Sequence, residues 1–437
     1  MQSPALLKEF VLAATVEPQS WHKSGSLDAA QDLLDEYPGL AERDFLCALV
    51  LGQFDVVVAA LQQNPDLVRR KLGPREWEPL LYVCFSEFFR LDLDRRADFC
   101  HCAERLIEAG ADPNAYFLVK REKETALYGA IGLANSAEMG RLLLKAGATL
   151  DDGELYYHSA EFDGVEGLAM LIEEFGIPEE HAATALLRKL DFPDLVGLER
   201  LLSLGLDPNN QGHWQKNALH QALLRNRSLP FISLLLAHGA DPNQPHGING
   251  QTAYQMAARM GRVEVLETME KAGANTQLSQ IDRFLAACTR ADREEAVACL
   301  RQTPNLIEQL DPREDLRLLV DCAQRNQIEV VDLMLDVGFP IDAKDEQGQT
   351  ATHVACWNGY VELLDLLLSY HAPLEALNNY GGTVIDATVW GYAHHPDPDK
   401  PMEFILQRLI DAGANLKAIS PYPSGNARVD AFLSQYL

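Results

Sequence analysis

The chain has 437 residues, 47% of them hydrophobic, with a formal net charge of −27 and an isoelectric point near 4.8. That hydrophobic share excludes a disordered chain, and the acidic balance argues against nucleic-acid backbones and anionic membranes as partners, since both call for basic surfaces. The length admits two or three ordinary domains or one long repeat array.

Taken from the N-terminus, the apolar run Phe10–Ala14 follows Glu9 with no basic region before it and is not read as a signal peptide. No stretch approaches the roughly 18 uninterrupted apolar residues of a membrane span. Ala30 and Leu34 lead to Tyr37-Pro38-Gly39-Leu40, and Phe45-Leu46-Cys47-Ala48 leads to Leu61 and Asn64-Pro65-Asp66-Leu67, which read as helices ending in proline turns. Trp77-Glu78-Pro79-Leu80-Leu81 opens another unit, and 86–99 reads as a long loop between its helices.

From residue 103 onward one phrase recurs: aliphatic residues, two spacers, then Gly-Ala-Asp-Pro-Asn or a variant. It ends in Gly110, Gly147, Gly205 and Gly239, with weaker copies at Gly176, Gly273, Gly338 and Gly413, and His371 replaces the glycine once. Gly205, Gly239 and Gly273 are spaced by 34, and Gly338 and His371 by 33. The aliphatic cluster is the buried stripe of a helix. The glycine ends that helix in the left-handed conformation, and Asp-Pro-Asn starts an extended turn because proline disfavours helix at the residue before it. A second phrase follows about eight residues after the asparagine: Thr125-Ala-Leu-Tyr-Gly-Ala130, Asn217-Ala-Leu-His-Gln-Ala222, Thr252-Ala-Tyr-Gln-Met-Ala257 and Thr350-Ala-Thr-His-Val-Ala355. Its Thr or Asn can cap a short helix, and its alanines allow close packing. Each unit therefore predicts a turn, a short helix, a tight loop and a longer helix. The segment 116–122 lengthens one finger and places Lys120, Arg121 and Lys123 nearby. Phe284-Leu-Ala-Ala287, Leu300 and Thr303-Pro304-Asn-Leu306 repeat the pattern of residues 45–67, and 392–401 reads as a proline-rich loop.

The second phrase resembles the Thr-Pro-Leu-His-x-Ala opening of ankyrin repeats, with alanine in place of the proline, most strongly from about Ala103 to Leu416. The resemblance implies an all-α ankyrin-repeat solenoid of about eleven or twelve helix-turn-helix units with short β-turn fingers. We divide it into N-terminal capping helices over 1–40, a first array over 41–279, and a second over 280–437 that is expected to continue the first. In the family, partners lie against the fingers and the first helices. Carried onto this chain unit by unit, that gives Trp77, Phe85, Arg121, Trp214, Arg225, Arg259, Gln347, Trp357, Asn358, Tyr380 and Trp390 as partner contacts. Aromatic and arginine side chains are the usual interface anchors. The resemblance also implies that His220, His353 and His158 are structural, bridging neighbouring turns.

Chemistry other than binding has little support. Cys100-His101-Cys102, with Cys84 the nearest further thiol, offers zinc-type donors, but C-x-C on a helix sends its sulfurs to different faces. His394, His395, Asp397 and Asp399 form a polar loop cluster able to hold a divalent ion loosely. No phosphate-binding loop, nucleophile elbow or His-Glu-x-x-His is present. The expected function is a non-enzymatic, cytoplasmic, monomeric scaffold for a protein or peptide, without cofactor, metal, nucleic acid or membrane. The alternatives are an acidic inhibitor of immunity type that neutralises a basic partner, and a metal-handling enzyme using the His394–Asp399 loop.

Overall fold

The computed structural model describes residues 4–17, 25–41, 44–150, 153–395, 397 and 399–437, with the backbone alone at 41 and 153. Residues 1–3 and 18–24 of the expected capping segment, and Pro396 and Pro398 of the 392–401 loop, lie outside them. The described residues are helices joined by short turns, with one two-stranded hairpin among them. The chain divides into two compact units, Met1–Ala253 and Tyr254–Leu437.

The second unit shows the repeat most plainly. Leu318–Gln324 is followed by Ile328–Asp336, Ala351–Asn358 by Val361–Ser369, and Val384–His394 by Met402–Asp411. First helices pack on first helices and second on second. Val361–Ser369 buries Leu363, Leu364 and Leu367, the one-sided spacing that drives an amphipathic helix onto its neighbour. Ala351 and Ala355, both fully buried, keep the first helices close. Thr350 caps its helix by accepting from the His353 backbone N–H, while the His353 ring accepts from the Thr350 N–H.

The same logic runs through the first unit. The helix Ala218–Leu224 starts at Asn217 with an equivalent reciprocal cap to His220. The finger glycines Gly205 and Gly239 hold φ of 90° and 87°, and in the second unit His371, at the position where the glycine is replaced, is forced to φ 60°. The finger asparagine has a visible purpose. Asn209 donates to the Gly239 carbonyl at 2.8 Å and accepts from the Asp241 N–H at 2.7 Å. Asn114 treats Gly147 and Thr149 the same way, at 3.0 and 2.9 Å.

Two segments depart from simple turns. Residues 116–125 form a hairpin, strand β1 (Tyr116–Val119) against strand β2 (Glu122–Thr125), so the lengthened finger is a small antiparallel ribbon. Residues 86–99 are not a loop. Ser86 caps a short helix, Glu87–Leu91, accepting from the Phe88 and Phe89 N–H groups and donating to the Val50 carbonyl. The reason is burial: Phe88 and Phe89 are 2% and 0% exposed, and the segment has no proline or glycine to break a helix.

Candidate partner-binding surface

The residues expected to contact a partner separate into three groups. The first is an aromatic row in the second unit. Trp357 stands near the end of Ala351–Asn358, and Trp390 near the end of Val384–His394. Their rings stack at 6.1 Å between centroids and 22° between planes. His394 continues the row against Trp390 at 4.6 Å and 18°, and His395 meets both tryptophans at 5.8 and 5.7 Å. Gly391 makes room: a Cβ there would fall 2.6 Å from Cζ3 of Trp357. The backbone around the row is secured, since Lys400 Nζ donates to the Trp357 carbonyl at 3.0 Å and the Asn358 amide to Val354 at 3.0 Å. Trp390 remains 45% exposed, and Trp357 is half-buried. On the adjoining fingers Tyr380 is 82% exposed and Gln347 is exposed. Asn379 links these fingers through the Glu346 and Gln347 carbonyls at 2.8 and 2.9 Å.

The second group lies in the first unit and reaches solvent. Arg121 is exposed in the β1–β2 turn, beside Lys120. Trp214 is 40% exposed and donates its indole N–H to Thr184 at 3.2 Å. Arg225 is exposed and paired with Asp191 at 2.6 Å.

The third group is a correction. Trp77 and Phe85 are buried. Trp77 stacks on Phe117 of β1 at 4.3 Å and 21°, and Phe85 meets the same ring edge-on at 4.8 Å. The lengthened finger thus closes over both, and they belong to the core of the first unit. Arg259 is also withdrawn as a partner contact. Its guanidinium binds the buried carboxylates of Asp282 and Asp315, each at 2.5 Å, a pairing those acids need once they leave water.

The histidines also divide. His220 Nδ1 accepts from the Asn217 N–H at 3.4 Å, so Nε2 carries the proton and donates to the Gln251 carbonyl at 3.0 Å. Burial holds its pKa down at about 4, and burial lowers His353 too. His158 meets the Tyr128 ring of the preceding unit edge-on at 5.8 Å and lies among acids. Burial alone would lower its pKa, but hydrogen bonds to Glu154 and Glu161 at 3.2 and 3.1 Å outweigh that and raise it to about 9.

Among the described residues no three His, Cys, Asp or Glu side chains converge as a metal site. His394 and His395 lie against tryptophan rings instead, a contact that their place in a proline-rich polar stretch does not signal. Cys100 and Cys102 are buried, with burial pushing both thiols up to about 12, which makes poor thiolate ligands. Among the described residues no helix is long and apolar enough to cross a membrane.

Comparisons with known proteins bear on the same segments. Residues 192–280 match the family model described as ankyrin repeats (3 copies), and residues 319–368 the one described as ankyrin repeats (many copies). Protein PhlB of Serratia liquefaciens is 39% identical over 87 residues, 20% of this chain and 37% of that protein. Putative ankyrin repeat protein FPV115 of Fowlpox virus (strain NVSL) is 27% identical over 134 residues, 30% of this chain and 23% of that one. The matches therefore span well under half the length of either relative. Among solved structures, an ankyrin repeat domain from Acinetobacter baumannii AYE is 23% identical, covering 55% of this chain and 100% of that one with a TM-score of 0.31. The human ASB11 ankyrin repeat domain is 21% identical, covering 53% and 98% with a TM-score of 0.27. Helix pairs capped and closed as above, together with the two family matches, show that this chain contains ankyrin repeats.

Proposed function

We propose that the chain is a non-enzymatic, cytoplasmic, monomeric scaffold that holds a protein or peptide on its finger and first-helix surface, anchored in the second unit by Trp357, Trp390 and Tyr380. Ankyrin repeats are in general protein–protein interaction modules. The observation that carries this reading is the Trp357–Trp390 row, two large stacked rings of which one is 45% exposed. Such rings, already ordered, give up little freedom when a partner covers them, which is why tryptophan dominates interface hot spots. Eight free, buried cysteines suit a reducing compartment, which supports the cytoplasmic part of this reading.

The test is quantitative capture from the native host with the wild-type chain and with Trp390→Ala. The variant should keep its melting transition and retain at least tenfold less of the same partner, in line with the ~2 kcal/mol or more typical of such anchors. If Trp357→Ala and Trp390→Ala both unfold, the rings are inter-repeat core and the reading fails. The net charge of −27 favours a second reading, neutralisation of a basic partner. Capture that collapses at high salt supports it, because exposed ion pairs are screened.

A further inference from the structure

Against a charge of −27, one place in the first unit gathers cations. Asp191 is its hub. Its Oδ1 accepts from Gln221 Nε2 at 2.5 Å and from Arg225 Nε at 2.6 Å, and its Oδ2 from Arg188 Nη1 at 2.7 Å. These side chains, with Tyr157, Trp214 and Lys216, line a pocket of ≈ 180 Å³. Its walls are fixed from behind: Thr184 accepts the Trp214 indole N–H, and the Arg188 guanidinium sits 4.3 Å over the Tyr157 ring and pairs with Glu161 at 2.7 Å.

Two polar groups there lack a hydrogen-bond or ion-pair partner among the described residues. Facing a carboxylate, the Gln221 amide must turn its N–H side to Asp191, because two acceptors repel; that fixes its orientation. Gln221 is 3% exposed, and its Oε1 is buried without a hydrogen-bond partner. Lys216 lies 5.9 Å from the Trp214 ring centroid and forms no ion pair among the described residues. Burial first, then the neighbouring Arg225, lower its pKa, and the more distant pull of Asp191 offsets them only in part.

An anion alone would answer Lys216 but not Gln221, which needs a donor. The volume is well below the ~300–1,000 Å³ of sites for drug-sized ligands, so it suits the end of one residue. The free C-terminus of a peptide carries a carboxylate and, one carbon away, its own amide N–H. We propose that this pocket binds the C-terminal carboxylate of a protein or peptide, held by Lys216 and Arg225, with the terminal N–H donating to Gln221 Oε1 and the last side chain against Trp214. This adds a contact to the scaffold reading and does not depend on Trp357 or Trp390.

The test uses the full chain labelled with 5-fluorotryptophan, with the Trp214 resonance assigned by Trp214→Phe. N-acetyl-glycyl-leucine as the free acid should shift that resonance saturably, while its C-terminal amide should bind at least about tenfold more weakly, the scale of one charge-assisted hydrogen bond. Lys216→Met and Gln221→Leu should each weaken the acid. The acid-versus-amide comparison stands on the wild-type chain even if a variant misfolds. Equal binding of acid and amide overturns the proposal, as does an unchanged affinity in a folded Lys216→Met. Equal binding of N-acetyl-glutamic α-amide assigns the pocket to internal acidic side chains and overturns the C-terminal assignment. Movement of the Trp390 resonance in place of that of Trp214 overturns it as well, whereas no movement at Trp390 leaves the proposed anchor row untouched.

Discussion

Trp77 and Trp390 both fall by register on the binding side of their repeats, yet one is 4% exposed and the other 45%. The difference comes from what the next segment does. After Trp77 the following finger is extended into the β1–β2 hairpin, whose Phe117 lies flat on the indole. After Trp390 the chain supplies histidine rings that extend the stack without closing it. A residue's place in a repeat thus says which neighbour it faces; whether that neighbour covers it depends on a finger's length elsewhere in the sequence.

Four measurements test this contrast. The largest effect belongs to Trp77→Ala, which should lower the unfolding free energy of the first unit by about 3–5 kcal/mol, the loss of a large buried aromatic. A denaturation curve that barely moves would show Trp77 to be surface. Next, Gly391→Ala should destabilise the second unit by about 1–3 kcal/mol through overpacking against Trp357, and near-ultraviolet circular dichroism should register the disturbed stack; an unchanged spectrum would mean the two rings are not held together. Third, pH separates residues that share a register. His220, held at about 4 against an ordinary value near 6.5, contributes stability that is complete above about pH 6.5 and is lost as pH falls towards 4. Lowering pH from 7.5 to 5 should remove on the order of 1–2 kcal/mol, and His220→Asn should flatten that slope. His158 has the opposite sign: raised to about 9, its contribution is complete below about pH 6.5 and is lost as pH rises through 9. Smallest is Trp390→Ala, which should change stability by less than about 1 kcal/mol; a loss as large as that at Trp77 would erase the contrast.

Much of this was readable beforehand. The 33–34-residue spacing required helix pairs, and the finger glycines and the replacement by His371 landed at positive φ. What could not be read were encounters set by distant chain. Phe117 reaches Trp77 from 40 residues on, and Arg259 finds its acids 23 and 56 residues away. Residues 86–99 differ in kind: Phe88 and Phe89 signal burial in the sequence itself, and they fold the gap between two repeat helices into a helix of its own. In the candidate site, Trp357 and Trp390 followed from register alone, while the ring contacts of His394 and His395 did not, because a helix running to His394 replaced the early turn expected at Tyr392.

The asparagine bonds between successive fingers carry one more consequence. Because Asn114 and Asn209 each grip the glycine carbonyl of the finger that follows, the modules that carry them are completed by their successors. Excising or duplicating a stretch that runs from one such asparagine to the corresponding position in the next module re-creates the same grip at the new junction, while any other length strands it. Growth or shrinkage of such an array is therefore tolerated in whole modules, and length variation within a module is confined to places such as the β1–β2 ribbon that lie outside the grip.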